Sequence, residues 1–466
     1  MTREASPGLP LAADNAATIR SAAAAPAPRP GYGPRMADRD VQGWIRANAE
    51  PLYSFLCDLL TCPAPAWPAA DGADAQNRVA DELEALGFET ELLVPDADGL
   101  EKKYASFRMG DAHSQIVPRP VVLTRAAGRG SGRSLLLAGH ADVVGPGDAA
   151  RWTRPPFGGA SDGGRLIGRG AADARGPLAA LVYALACARD VSGGLAGDVI
   201  LVSVGDEEIG GPGTLAAVDA GWTADAAVVG EPTALAVCPA SRVAAVFRLE
   251  VAGVEAHAGA AFKGVNAILN AAKYISALVE LQAELDRTRQ HPLYERLPVA
   301  HAFNVATISG GEFTGVVPKR CVIEAVAGGV PGETPRDLRS WVGACVDAVT
   351  ASDAWLAEHP PKLTWLLELD GAATATDDPF VEAALVAGRR ALGRTPPVEP
   401  FLGGSDLRFV TGEFGIPAVH IGPGDMLAGH GYDESVEVEE VEQAAAFCAY
   451  LILEWSGDDR GGDSLP

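Results

Sequence analysis

Three aliphatic runs in this chain each stop at ionisable residues. LLLAGHADVV, Leu135 to Val144, carries small and aliphatic side chains into His140 and Asp142. DVILVSVG leads into Asp206, Glu207 and Glu208, and DAAVVG leads into Glu231. Such runs read as buried strands, and in an open α/β sheet ligands bind beyond the carboxyl ends of the strands. Helical stretches separate them, LAALVYALACA after Gly176 among them. The alternation predicts an α/β fold with a mainly parallel central sheet and a site at its carboxyl edge. Side chains two apart on a strand share a face. Asp142 can therefore accept a hydrogen bond from one ring nitrogen of His140, or from a neighbouring ligand; the first fixes the tautomer and frees the other nitrogen for a metal.

His140, Asp173, Glu207, Glu208, Glu231 and His430 all fall at such strand ends or in the loops beyond them. That many charges converging on one edge repel unless cations neutralise them. Two histidines with several carboxylates form a nitrogen and oxygen donor set for two divalent ions, zinc being the usual choice. A lone Glu pair would read as a solvated acidic turn, but that does not explain the same arrangement at Asp173 and Glu231.

Composition narrows the partners. The 466 residues carry 37 Lys and Arg against 61 Asp and Glu, a formal net charge of -24. An acidic surface of that size argues against nucleic acid and anionic membrane as partners. No uncharged apolar run is long enough to span a bilayer. The seven cysteines contain no C-x-x-C and lie mostly in apolar surroundings, which predicts reduced thiols and a cytoplasmic location.

Along the chain, residues 1–36 are rich in Ala and Pro without apolar periodicity and read as a disordered tail, with Met36 a candidate start. Helical spacing begins near Asp38 and runs to Leu60. A second helix covers Ala73 to Leu86, and residues 96–118 read as a surface loop. Near Ser241 the pattern changes to strand, helix, strand, strand, helix, strand, the order of a ferredoxin-like α+β unit. The expected division is a catalytic domain from 37–240 and 372–456, an inserted lid domain at 241–371, and a second disordered tail at 457–466.

LLLAGHADVV, GRGAADARGPLAAL, VSVGDEEIGGPGT, VVGEPT and GPGDMLAGHGYDES resemble, in order and spacing, the co-catalytic di-zinc amidohydrolases. That family includes acetylornithine deacetylase, succinyl-diaminopimelate desuccinylase, aminoacylase and glutamate carboxypeptidase, and the likeness spans about residues 38–456. It implies a zinc-peptidase-like catalytic domain and two Zn²⁺ per chain, with Co²⁺ or Mn²⁺ as substitutes. His140 and Glu231 would hold one ion, Glu208 and His430 the other, and Asp173 would bridge. Asp142 would support His140, Glu207 would be the general base and acid, and the Asp173–Ala174 peptide would be cis. GVEAHAGAAFKGVNAI resembles the lid and dimerisation segment, where His257 would stabilise the oxyanion in a partner subunit's site. The homodimer would form through residues 241–371.

The substrate side departs from the family pattern. Many relatives carry an Asn before a VP turn and an Arg after the next strand, which together grip a substrate carboxylate. Here those positions read Thr314-Gly315 and Gly328-Gly329. Substrate-side candidates are Arg242, Asn304, Ser405, Asp406 and Arg408, with Lys263 and Lys319 as further cations. The resulting expectation is an N-deacylase acting on a small N-acylated amino acid or amine. The alternatives are a metallo-dipeptidase or carboxypeptidase, or an N-formyl-aminopyrimidine deformylase. The presence of both Glu207 and every metal ligand argues against a non-catalytic binding protein on the same scaffold, and a lone structural metalloprotein would not need a general base.

Overall fold

The computed structural model describes residues 40–65, 72–108, 119–130 and 132–457. The tail expected at 1–36 and all but the first residue of the one at 457–466 lie outside these.

Six strands form the central sheet, in the order Thr90–Leu93, Val121–Ala126, Val199–Val204, Leu135–His140, Ala226–Val229 and Ala418–His420. The first two pairings are antiparallel and the last three parallel. The aliphatic runs are continuous because both faces are covered. Leu135 and Leu137 pack into the larger core, with the helices Gly176–Ser192 and Val438–Ser456, while Leu136 enters a smaller core on the opposite face. The sheet order matters for the site. Val199–Val204, Leu135–His140 and Ala226–Val229 are adjacent and parallel, so their carboxyl ends, and the acids that follow, stand side by side.

The inserted ferredoxin-like unit is a four-stranded antiparallel sheet. Its order is Ala302–Gly310, Arg320–Gly328, Ala244–Ala252, Lys362–Leu369. Alternate residues of Ala244–Ala252 are buried, and Phe247, Leu249 and Val251 pack with Tyr274 and Leu278 of the Ala267–Thr288 helix. Val342 and Val346 of the Pro335–Ser352 helix complete that core.

Three local features differ from the expectations drawn from sequence. The helical stretch before Leu60 is two helices, Val41–Ala47 and Ala49–Leu60. Pro51 has no N–H to bond the Ala47 carbonyl, and the chain turns at Asn48. Within the expected 96–118 loop, Ala97–Lys103 is a helix, capped by the Asp96 carboxylate on the Gly99 N–H at 3.1 Å. At seven residues it is too short and polar to show periodicity; residues 109–118 lie outside the described ones. A small antiparallel sheet joins Ala160–Asp162, Arg165–Ile167 and Ser435–Glu437, tying the loop around Asp173 to the segment after His430. All seven cysteines are free thiols. No helix among the described residues is long and apolar enough to cross a membrane.

Candidate metal centre

His140 ends its strand almost fully buried. Asp173 sits in a loop that is not regularly helical, at φ −121° and ψ 94°, and the Asp173–Ala174 peptide is cis. Glu207 and Glu208 open a short 3₁₀ turn after Val199–Val204, and Glu231 follows Ala226–Val229. His430 comes from the loop after Ala418–His420, at a positive φ of 60°.

These six residues meet. The two oxygens of Asp173 face different histidines: Oδ1 lies 3.4 Å from His140 Nε2, and Oδ2 lies 3.3 Å from His430 Nε2. His430 Nε2 is 3.1 Å from Glu208 Oε2, and His140 Nε2 is 4.0 Å from Glu231 Oε2. Donor atoms of His140, Asp173 and Glu208 lie within 4.8 Å of one another, as do those of His140, Glu207 and Glu231. A tetrahedral zinc with bonds of about 2.0–2.1 Å has donor-to-donor edges of about 3.3 Å, close to the 3.1–3.4 Å spacings here. His140 Nε2 and Glu208 Oε1 are buried without hydrogen-bond partners, an arrangement costly for polar atoms unless something else satisfies them. The residues present therefore fit a pair of divalent cations.

The electrostatics agree. Burial pushes the carboxyls of Glu207, Glu208 and Glu231 up, reinforced by the negative charges around them. Contacts with Asp173 and Glu208 raise the His430 imidazole to about 11. Burial draws His140 down, but its contacts with Asp142 and Asp173 and the nearby Glu231 and Glu207 raise it well above the usual value. The cluster thus has a strong affinity for positive charge.

Of the two partners expected for the Asp142 carboxylate, the neighbouring ligand is nearer than the His140 ring. His140 Nδ1 faces the Asp142 backbone carbonyl at 3.0 Å, while the nearer carboxylate oxygen is 3.5 Å away. The carboxylate instead accepts the Glu207 and Glu208 N–H groups, each at 3.2 Å. His140 is the last residue of its strand, so beyond it the chain no longer keeps Asp142 on the same pleat.

The substrate-side residues separate. Arg242 is buried, donates to the Ala300 carbonyl and lies over the Tyr294 ring, so its guanidinium is engaged inside the protein. Asn304 is exposed on the edge strand of the insert. Ser405 bonds the His420 ring at 2.7 Å, and Asp406 accepts the Thr214 hydroxyl at 2.5 Å. Arg408 donates to the Ser405 carbonyl, and a Cβ on Gly210 would lie 3.5 Å from its Nη2, so it flanks the Glu207 turn. Lys319 pairs with Glu255. His257 is exposed on the insert, and its Nδ1 accepts the Gly259 N–H at 3.0 Å, which leaves the proton of a neutral ring on Nε2.

Sequence reasoning missed Arg119, Arg169 and Glu434. Arg119 is buried behind the site, donating to the Gly205 and Pro65 carbonyls. Arg169 and Glu434 form a buried ion pair at 2.5 Å beside Asp173. Both stand inside motifs already singled out, GRGAAD and GYDES, but nothing in their spacing shows that they meet.

The family model for peptidase family M20/M25/M40 matches residues 136–454. The chain belongs to this family. The M20 chain is 27% identical over 432 residues to an N-formyl-4-amino-5-aminomethyl-2-methylpyrimidine deformylase from Halalkalibacterium halodurans, covering 88% of this chain and 96% of that one. It is 30% identical to a succinyl-diaminopimelate desuccinylase from Rhodospirillum centenum, over 85% and 95% of the two chains. Among solved structures, human carnosine dipeptidase 1 shares the fold, with a TM-score of 0.70 at 17% identity over 91% of this chain and 99% of that one. This M20 protein is thus a metal-dependent hydrolase of linear amides.

Proposed function

We propose that this M20 hydrolase removes an acyl group from the nitrogen of a small amine, using two zinc ions. The observation that carries the reading is the pair of Asp173 oxygens, each turned to a different histidine, as a carboxylate between two cations requires. His140 and Glu231 would hold one ion, Glu208 and His430 the other, with Asp173 shared. Bound there, the ions would lower the pKa of a water toward neutral and polarise the substrate carbonyl.

The chain's own groups do the rest. Glu207 takes the proton of the attacking water and delivers it to the leaving nitrogen. Asp142 holds the Glu207 and Glu208 amides, fixing both carboxylates from behind. His257, with Nε2–H free to donate, stabilises the oxyanion in the site of a second copy. The exposed edge strand Ala302–Gly310, with Ile308 outward, supports a homodimer through the insert. The reduced thiols are in keeping with a cytoplasmic setting.

The substrate lacks the carboxylate that many relatives grip. Gly328 and Gly329 carry no side chain where a gripping Arg would stand, and a Cβ on Gly329 would fall 2.4 Å from Glu333 Oε2 and 2.8 Å from Val243, so one there would have to displace its neighbours. Arg242 and Lys319 are already engaged. An N-formylated aminomethyl-pyrimidine, the substrate named for one relative, has no carboxylate and suits this site.

The test is a panel of N-formyl aminopyrimidine, N-acetylornithine, succinyl-diaminopimelate and dipeptides, with zinc-loaded wild type and Glu207→Gln. The carboxylate-free amide should be turned over best. The variant should lose at least ~10²-fold in kcat with its zinc content intact. Ordinary turnover of the amino-acid substrates would refute the substrate assignment, and loss of zinc in the variant would reverse the roles of Glu207 and Glu208.

A further inference from the structure

We infer that Glu434, with Arg169, is the positioning residue that registers Asp173 against His430 and so sets the affinity of the second metal position. This rests on the two-metal reading above. Glu434 is fully buried, and a buried carboxylate must be surrounded by donors. Its Oε1 accepts the backbone N–H groups of Gly170 at 3.1 Å, Ala172 at 3.0 Å and Asp173 at 3.0 Å. Its Oε2 accepts Arg169 Nη1 at 2.5 Å.

The loop before Asp173 cannot satisfy these amides itself. Gly170 has a φ of 89°, and Asp173 and Ala174 depart from helical angles. A Cβ on Gly170 would meet Val143 at 2.7 Å and Arg175 at 2.9 Å, so the loop is pressed against its neighbours in this one shape. The carboxylate of Glu434 takes the place of the missing intrahelical acceptors and thereby fixes the bridging Asp.

The same pair also reaches the other ligand. Arg169 Nη2 donates to the His430 carbonyl at 3.3 Å, and the Gly168 N–H donates to the Glu434 carbonyl at 2.9 Å. Asp173 and His430 are thus both anchored on one buried ion pair. His140 ends one central strand and Glu231 follows the adjacent one, so of the ligands at their position only the shared Asp173 is tied to this ion pair. Loss of the pair should therefore loosen the position built from Asp173, Glu208 and His430, where two ligands are anchored on it, more than the one built from His140, Glu231 and the same Asp173, where one is. Groups that orient metal ligands in this way typically contribute 10–100-fold in affinity.

The experiment is a calorimetric titration of chelator-stripped protein with zinc against a competing chelator, for wild type, Glu434→Gln and Arg169→Lys. Gln keeps the volume but offers one carbonyl oxygen, so the three amides or Arg169 lose their acceptor. Lys keeps the charge but cannot serve Glu434 and the His430 carbonyl together, which preserves a folded comparison should the Gln variant fail to fold. Expected is a second equivalent weakened by about 10–100-fold, and a first, which keeps His140 and Glu231 and shares only Asp173, weakened by clearly less. Activity at limiting zinc should fall and return at saturating zinc. Equal weakening of both equivalents, or none, overturns the proposal, as does a lowered Tm with the ratio of the two affinities unchanged. A wild type that binds one equivalent refutes the two-metal reading, and this inference with it.

Discussion

Asp142→Asn is the substitution that reads the site most directly. The wild-type carboxylate accepts the Glu207 and Glu208 amides, one on each oxygen, at 3.2 Å. An amide side chain of the same shape keeps one acceptor and turns an N–H₂ toward the other backbone N–H. Hydrogen bonds to a charged acceptor contribute about 1.5–3 kcal/mol, and these are long, so the low end applies. Losing one bond at about 1.5 kcal/mol and leaving its donor buried and unpaired at a similar cost gives about 3 kcal/mol. Expressed in the barrier, that is about 10²-fold in kcat. Glu207 and Glu208 are displaced together, so the loss should appear in kcat, with KM within about threefold. The assay is steady-state kinetics at saturating zinc on the best substrate of the panel, with zinc content measured alongside. A kcat within threefold of wild type would show that Asp142 does not hold the Glu turn. Loss of a zinc ion with kcat preserved in the reloaded enzyme would show that Asp142 serves His140 instead.

Two further outcomes are expected. Glu207→Gln and His257→Ala, each inactive alone, should regain activity when mixed under subunit exchange, because a hybrid dimer has one site with a native Glu207 and a native His257; continued inactivity with exchange confirmed would place His257 within its own chain or outside the reaction. His420, buried between Ser405 and the Cys238 carbonyl, has its imidazole drawn down to about 4 by burial from an ordinary 6.5. Its contribution to stability is complete above pH 6.5 and is lost as pH falls toward 4, about 3 kcal/mol in all. The fall in Tm over that range should therefore be shallower in His420→Gln, and an unchanged slope would count against a neutral His420.

Much of the site was legible in the amino-acid sequence. The aliphatic runs before His140, Glu207 and Glu231 specify buried strands, and the sheet brings all three to one edge. The order of elements in the insert likewise matched its sheet, because alternate burial leaves its mark on the strand Ala244–Ala252. The short helix Ala97–Lys103 was hidden because seven residues with Leu100 as their one large apolar side chain carry no periodic signal. Arg242 reads in sequence as a free cation for substrate, whereas the fold buries it against Ala300 and Tyr294.

The sequence by itself determined which side chains could ligate metal and which strands present them, since strand ends are local and apolar burial is written into neighbouring residues. Tertiary structure decided how those side chains face one another. The turn of each Asp173 oxygen toward a different histidine depends on the loop around residue 170 meeting the segment after His430. Glu434 closes that meeting from 261 residues away, and Asp142 reaches Glu207 from 65. Contacts at such separations are fixed by packing, in which a buried carboxylate must find its donors wherever the fold brings them, and no local pattern records where that will be.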